Sequence, residues 1–153
     1  MTWVINQSTS EEARQLGEHL MAFNRLQVPF TQDPGRVELN LHIKDGQQRI
    51  VAGINSVLYC WQVLYIDTLF VDEGLRHHQL GTLLLHEAES RAMAMGARLA
   101  HLDTFDFQTK DFFLKNGYHV YGVLEDCPEG HRRYHLKKHL QGEVGGGMPG
   151  IMD

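Results

Sequence analysis

Arg76, Gly81 and Thr82 fall within one short polar stretch, Leu69-Phe70-Val71-Asp72-Glu73-Gly74-Leu75-Arg76-His77-His78-Gln79-Leu80-Gly81-Thr82. An apolar strand, Leu64 to Val71, leads into it. Leu80, Leu84, Ala88, Ala92 and Met95 then recur at helical spacing and predict a buried stripe. Gly81 and Thr82 therefore stand in a first helical turn, where the leading N–H groups have no intrahelical partner. A glycine there lets a ligand approach the main chain closely. Those N–H groups, the helix dipole and the charge of Arg76 compose an anion site suited to a phosphate or pyrophosphate. A solvated arginine beside an ordinary strand-turn-helix unit is the plainer alternative. No Gly-Lys-Ser/Thr follows the turn and no Gly-x-Gly-x-x-Gly precedes it, which disfavours Walker-type and dinucleotide binding. On that strand Tyr65, Asp67 and Leu69 share a face by period two, setting a phenol and a carboxylate on one side of it.

Other chemistries are excluded by spacing or charge. Among the ten histidines, His77 and His78 are adjacent and diverge. His131, His135 and His139 have helical spacing in a segment that reads as strand, and no His-Glu-x-x-His is present, so no metal is expected. Cys60 and Cys127 form no Cys-x-x-Cys pattern and read as reduced, structural thiols of a cytoplasmic protein. Fourteen Lys and Arg against nineteen Asp and Glu give a net charge of −5, which argues against nucleic acid as a partner. No signal peptide and no apolar run of membrane-spanning length is expected.

The elements that must position these residues follow from pattern. Thr2–Gln7 is a strand candidate around Trp3-Val4-Ile5. Ser8 and Thr9 offer N-caps with Glu11 and Glu12 as capping-box partners, opening a helix to about Leu26 along Ala13, Leu16, Leu20, Phe23 and Gln27. Val37, Leu39, Leu41 and Ile43 alternate with polar residues as a strand with one wet face, and Asp45-Gly46 suits a turn with positive φ. Ile50–Tyr59 and Gln62–Val71 complete a meander. Beyond the helix ending near Gly96 come a strand over 97–104, a short helix over 108–116, a strand from a glycine C-cap at Gly117 to Leu124, and a last strand over 131–138. One compact domain is expected over residues 1–140. The Gly-rich residues 141–153 read as a flexible tail.

Leu69-x-Val71 followed by Arg76-x-x-Gln79-x-Gly81 resembles the acyl-CoA signature of the GNAT N-acetyltransferases, apart from Gln79, where that family has glycine. Asp111-Phe112-Phe113-Leu114-Lys115-Asn116-Gly117-Tyr118 is similar to its Phe-Tyr-x-x-x-Gly-Phe/Tyr segment, and Tyr121-Gly122, Pro128-x-Gly130 and the closing strand are similar to its C-terminal end. The resemblance spans roughly residues 1–138. It implies an α/β GNAT fold, a central mixed, largely antiparallel sheet with helices on both faces.

It further implies transfer of acetyl from acetyl-CoA, as cosubstrate, to a small-molecule or peptide amine by direct attack; a homodimer is compatible with it. CoA contacts would fall on Leu69, Phe70, Val71, Arg76, His77, His78, Gln79, Leu80, Gly81, Thr82, Gln108 and Phe113. The peptide joining Leu69 to Phe70 would stabilise the oxyanion, and Asn24 and Phe30 would border the acceptor. Tyr65 occupies a position where relatives often carry Glu, and Asp67 is the nearest carboxylate able to accept a proton; Asp103, on the neighbouring strand, is the alternative. Phe113 stands where relatives often place a tyrosine as general acid, so Tyr65, Tyr118, Tyr121 or water would have to replace it. Because Gln79 and Phe113 both depart from the pattern, a non-catalytic acyl-CoA-binding module is the competing reading.

Overall fold

The structure, a computed structural model, describes residues 1–141. The part of the expected tail beyond Gln141 lies outside the described residues. The chain forms two compact units, Met1–Thr31 and Gln32 onward.

In the first unit, helix α1 (Ser10–Gln27) opens on a capping box. Of the two boxes the sequence allowed, Thr9 with Glu12 forms. Thr9 N–H donates to Glu12 Oε1 at 2.9 Å, and Glu12 N–H donates to Thr9 Oγ1 at 3.1 Å. At the other end Val28 N–H closes on the Asn24 carbonyl at 2.8 Å. The strand expected over Thr2–Gln7 does not form; residues 1–9 are exposed and irregular. A strand requires a neighbouring ladder, and these residues pair with none of the described strands. The apolar positions of α1 are likewise not buried.

The second unit is built on a seven-stranded sheet. Its strands are β1 (Arg36–Glu38), β2 (Leu41–Lys44), β3 (Ile50–Tyr59), β4 (Val63–Val71), β5 (Leu99–Phe105), β6 (His119–Glu125) and β7 (Arg132–His139). They run in the order β1-β3-β4-β5-β7-β6, with β2 also on β3. Every pairing is antiparallel except β4 with β5. This is the mixed, largely antiparallel α/β sheet expected. The helices are α2 (Leu80–Ala94) and α3 (Lys110–Lys115), and a 3₁₀ turn covers Glu73–His78.

Leu84, Leu85, Ala88 and Ala92 of α2 are buried in one cluster with Ile54, Leu64, Ile66, Leu102, Leu136 and the α3 residue Phe113. The expected stripe holds except at its end, where Met95 is exposed. Gly117 ends α3 at φ +93°, as its C-cap position requires. Two local expectations need correction. The strand over 37–44 breaks at Leu39–Asn40, because the Asn40 side chain takes the Ser56 N–H at 3.1 Å in place of a ladder bond. In the β2–β3 turn the positive φ falls on Gln48, at 65°, since Asp45 Oδ1 draws the N–H groups of Gln47 and Arg49 around itself.

Candidate active site

β4 and β5 pair only as far as Ile66 and Leu102. Beyond that point they part, and the wedge between them opens into a cleft of about 670 Å³. A β-bulge coincides with the parting: Asn55 pairs with Thr68 but Ser56 pairs with Ile66, which leaves Asp67 as the extra residue. The bulge changes the facing of side chains. Ile66 and Leu69 stand opposite Ser56 and Ile54, on the core face of β3, whereas Tyr65, Thr68 and Phe70 stand opposite Val57, Asn55 and Gly53 on the other. The expectation that Tyr65, Asp67 and Leu69 share one face is thereby overturned.

Backbone direction follows from the same ladder. Asp72 N–H donates to the Val51 carbonyl at 2.8 Å. Antiparallel pairs alternate between bonded and non-bonded, so Phe70 exchanges its main-chain bonds with Gly53, while Leu69 and Val71 turn their N–H and C=O groups away from β3 toward the cleft. The N–H of the Leu69–Phe70 peptide is therefore committed to the sheet. Leu69 N–H and Val71 N–H are the donors that face the opening.

One end of the cleft is cationic. Arg76 donates through Nε to the Val71 carbonyl at 3.2 Å, which anchors the guanidinium and leaves its Nη groups for a ligand. The first intrahelical bond of α2 runs from Leu83 N–H to the Gln79 carbonyl at 3.1 Å, so the N–H groups of Leu80, Gly81 and Thr82 precede it. Gln79 caps the helix with φ 59° and ψ 27°, the left-handed region. That conformation explains why related signatures carry glycine here. Gly81 is buried, and a Cβ on it would meet the Phe112 ring at 3.4 Å and Val71 Cγ2 at 3.7 Å. Its smallness thus serves the packing of the helix against the cleft floor.

The other end carries carboxylates. Asp67 and Asp103 both line the cleft. Asp67 accepts from Thr68 Oγ1 at 3.2 Å, and no ion pair engages it among the described residues. Asp103 is instead fully occupied, accepting the Tyr65 hydroxyl at 3.0 Å and an ion pair from Arg133. Burial, and then the bond to Asp103 and the charges of Asp103 and Asp67, push the Tyr65 phenol up to about 12. Tyr65 is not itself among the lining residues.

Phe112 and Phe113 form an apolar wall, with Phe113 buried edge-on against Phe112 at 5.2 Å and Tyr118 at 5.6 Å. Tyr118 cannot supply the missing acid, because it is enclosed and its hydroxyl donates to the buried Glu89 at 2.7 Å. Burial first, then the Glu89 charge, drives its pKa upward. Tyr121 lies on β6 with its side chain exposed, outside the lining. Gln108 lines the cleft, and its Oε1 accepts from Phe105 N–H at 2.8 Å and Thr104 Oγ1 at 3.1 Å, closing the turn after β5.

Of the CoA contacts expected from sequence, Leu69, Phe70, Val71, Arg76, Gln79, Gly81, Thr82, Gln108 and Phe113 come together in this one cleft. His77, His78 and Leu80 do not line it: the histidines are exposed on the 3₁₀ turn, and Leu80 packs toward the core. Asn24 and Phe30 belong to the first unit. There Asn24 receives the α1 capping bond, and Arg25 lies over the Phe30 ring at 4.7 Å. Among the described residues no group of three or more His, Cys, Asp or Glu side chains could hold a metal, and no helix is long and apolar enough to cross a membrane. Sequence reasoning missed Thr104, Phe107, Phe112 and the Arg133 partner of Asp103. Arg133 comes from a distant strand whose register no local pattern announces, whereas the aromatic pair Phe105-x-Phe107 is visible in the sequence.

Comparison with known proteins bears on this geometry. The sequence model described as the acetyltransferase (GNAT) family matches residues 6–118. A protein named blasticidin-S acetyltransferase, from Streptomyces morookaense, is 37% identical over 81 residues, covering 52% of this chain and 60% of that protein. The chain thus matches about 60% of that curated relative's length. The crystal structure of an acetyltransferase from Bacillus cereus superposes with a TM-score of 0.80 at 35% identity, covering 90% of this chain and 98% of the other. An aminoglycoside 6′-N-acetyltransferase complexed with coenzyme A shares the fold at a TM-score of 0.61 and 18% identity, covering 92% of this chain and 99% of that one.

Proposed function

We propose that this chain, which belongs to the acetyltransferase (GNAT) family, transfers an acetyl group from acetyl-CoA to a primary amine that attacks directly. The observation that carries the reading is the polarity of the cleft. Arg76 and the leading N–H groups of α2 stand at one end, the carboxylate of Asp67, free of ion pairs among the described residues, at the other, and the outward main-chain groups of Leu69 and Val71 between them.

These residues fit acetyl-CoA. A pyrophosphate suits the cationic helix end, the amides of a pantetheine arm suit the free edge of β4 as an added strand, and Phe112 and Phe113 offer the arm an apolar wall. Bound acetyl-CoA supplies an activated thioester and a thiol leaving group. Leu69 N–H is placed to donate to a carbonyl oxygen that becomes negative during attack. Asp67 takes the proton of the incoming ammonium, the step that makes the amine a nucleophile. Tyr65, whose hydroxyl donates its hydrogen bond to Asp103, acts as a positioning residue that braces Asp103 beside the site. Phe113 has no proton to give; a thiolate whose conjugate acid has a pKa of about 8.5 would leave without one from a side chain near neutral pH, and the second proton shed by the amine nitrogen would pass to it through water. Neither cysteine lines the cleft, which favours direct attack over an acyl-enzyme. Asn24 and Phe30 as acceptor contacts remain part of the reading on family resemblance. The departure at Gln79 does not favour a non-catalytic module, since the left-handed cap keeps the N–H groups of α2 in place.

Thiol release from acetyl-CoA with a panel of amines tests this, and the name of the Streptomyces relative makes blasticidin S the first to try, beside spermidine and a free peptide N-terminus. Asp67→Asn should lower kcat/KM by roughly 10²-fold. Much of the loss should return at high pH, where the amine is already neutral. CoA binding without turnover of any amine would sink the reading.

A further inference from the structure

We propose that Phe107 is a stacking platform for the acceptor, so that the amine substrate carries a planar, conjugated ring; this rests on the amine-acetyltransfer reading above and refines it. Phe107 lines the cleft yet is 60% exposed. A phenylalanine left this open in a concave site offers apolar area that only a ligand can cover. One of its faces is already used: it stacks on Phe105 with centroids 5.1 Å apart and planes 5° from parallel. The His131 ring meets it at 5.4 Å and 88°, edge to face.

The platform is also held rigid, from both sides of the loop that bears it. Asp106 accepts from His131 Nδ1 and from the Arg132 N–H, each at 2.9 Å, and its own N–H donates to the Arg132 carbonyl at 2.9 Å. Gln108 pins the Phe105 N–H on the other flank at 2.8 Å. Arg133 lies over Phe105 at 5.1 Å while pairing with Asp103, so the aromatic pair is tied to the carboxylate end of the cleft. Ordering an exposed loop aromatic to this degree removes the entropy a ligand would otherwise have to overcome on stacking. A ring seated on Phe107 with its aminoalkyl arm extended into the cleft would direct the ammonium toward Asp67. Surface shielding of Phe105 would need bulk but not planarity, and that difference is measurable.

The test titrates the full chain with 2-phenylethylamine and, separately, with 2-cyclohexylethylamine, which has the same ammonium and chain length but a non-planar ring, and reads binding from NMR chemical shifts. The wild-type protein should bind the phenyl compound roughly fivefold more tightly, in line with an aromatic stack. Phe107→Leu, with thermal melting unchanged, should abolish that preference, and Phe107→Trp should retain or enlarge it. Equal affinities in the wild type, a preference that survives Phe107→Leu, or no binding of either amine would overturn the proposal. A preserved preference without acetyl transfer would instead fault the transferase reading alone. Transfer to both amines with equal kcat/KM would fault the platform alone.

Discussion

Gln79→Gly should stabilise the protein while leaving its hold on CoA intact. Gln79 adopts φ 59° and ψ 27° at the start of α2, and its side chain makes no capping hydrogen bond. The left-handed conformation costs a residue with a Cβ about 1–2 kcal/mol. Glycine removes that cost but loses about 0.4–1 kcal/mol through the greater freedom of the unfolded chain. The net gain is roughly 0.5–1 kcal/mol. For a domain of this size it should raise Tm by roughly 1–4 °C. Thermal melting of the variant, set beside Gln79→Ala, measures it; alanine keeps the Cβ and should gain nothing. Isothermal titration with CoA supplies the second readout, and affinity should be equal or modestly tighter, because the cap at position 79 acts through the backbone it sets for α2 and not through its side chain. A lower Tm, or a loss of CoA affinity beyond tenfold, would refute the reasoning and assign the Gln79 amide a contact of its own.

Arg76→Ala should weaken CoA binding by roughly 1.5 kcal/mol, the low end for a charged hydrogen bond because the side chain is exposed, and calorimetry would show it as a tenfold or larger rise in Kd. Lys138→Met should destabilise the fold by about 3 kcal/mol in urea unfolding, since Lys138 Nζ meets the buried Glu89 at 3.0 Å and its loss leaves a carboxylate in the core with only Tyr118 as partner; adding Glu89→Gln should recover most of that loss. Tyr65 should ionise near pH 12 in an ultraviolet tyrosinate titration, and Tyr65→Phe should remove that late step. The sign is set by a folded-state pKa above the unfolded one: the protonated phenol favours folding fully below about pH 10, and that contribution disappears as pH rises through about 12.

Much of this protein is legible one segment at a time. The capping box at Thr9, the apolar period of α2 and the glycine that ends α3 are interactions within a few residues, so local pattern suffices to find them. The cationic end of the cleft is of the same kind, because Arg76, Gly81 and Thr82 are joined by one turn. The carboxylate side of the cleft is not. A single extra residue, Asp67, reverses which face every later β4 side chain takes, and a period-two reading has no means of detecting it. The partnership of Asp103 with Arg133, thirty positions apart, and of Phe105 with the same arginine, depends on how β7 aligns with β5. The rejection of Tyr118 as an acid depends on its burial against Glu89, which joins α2 to the segment after α3. Local hydrogen bonding and side-chain period determine elements; register and burial, set by the packing of distant elements, decide which chemical groups meet.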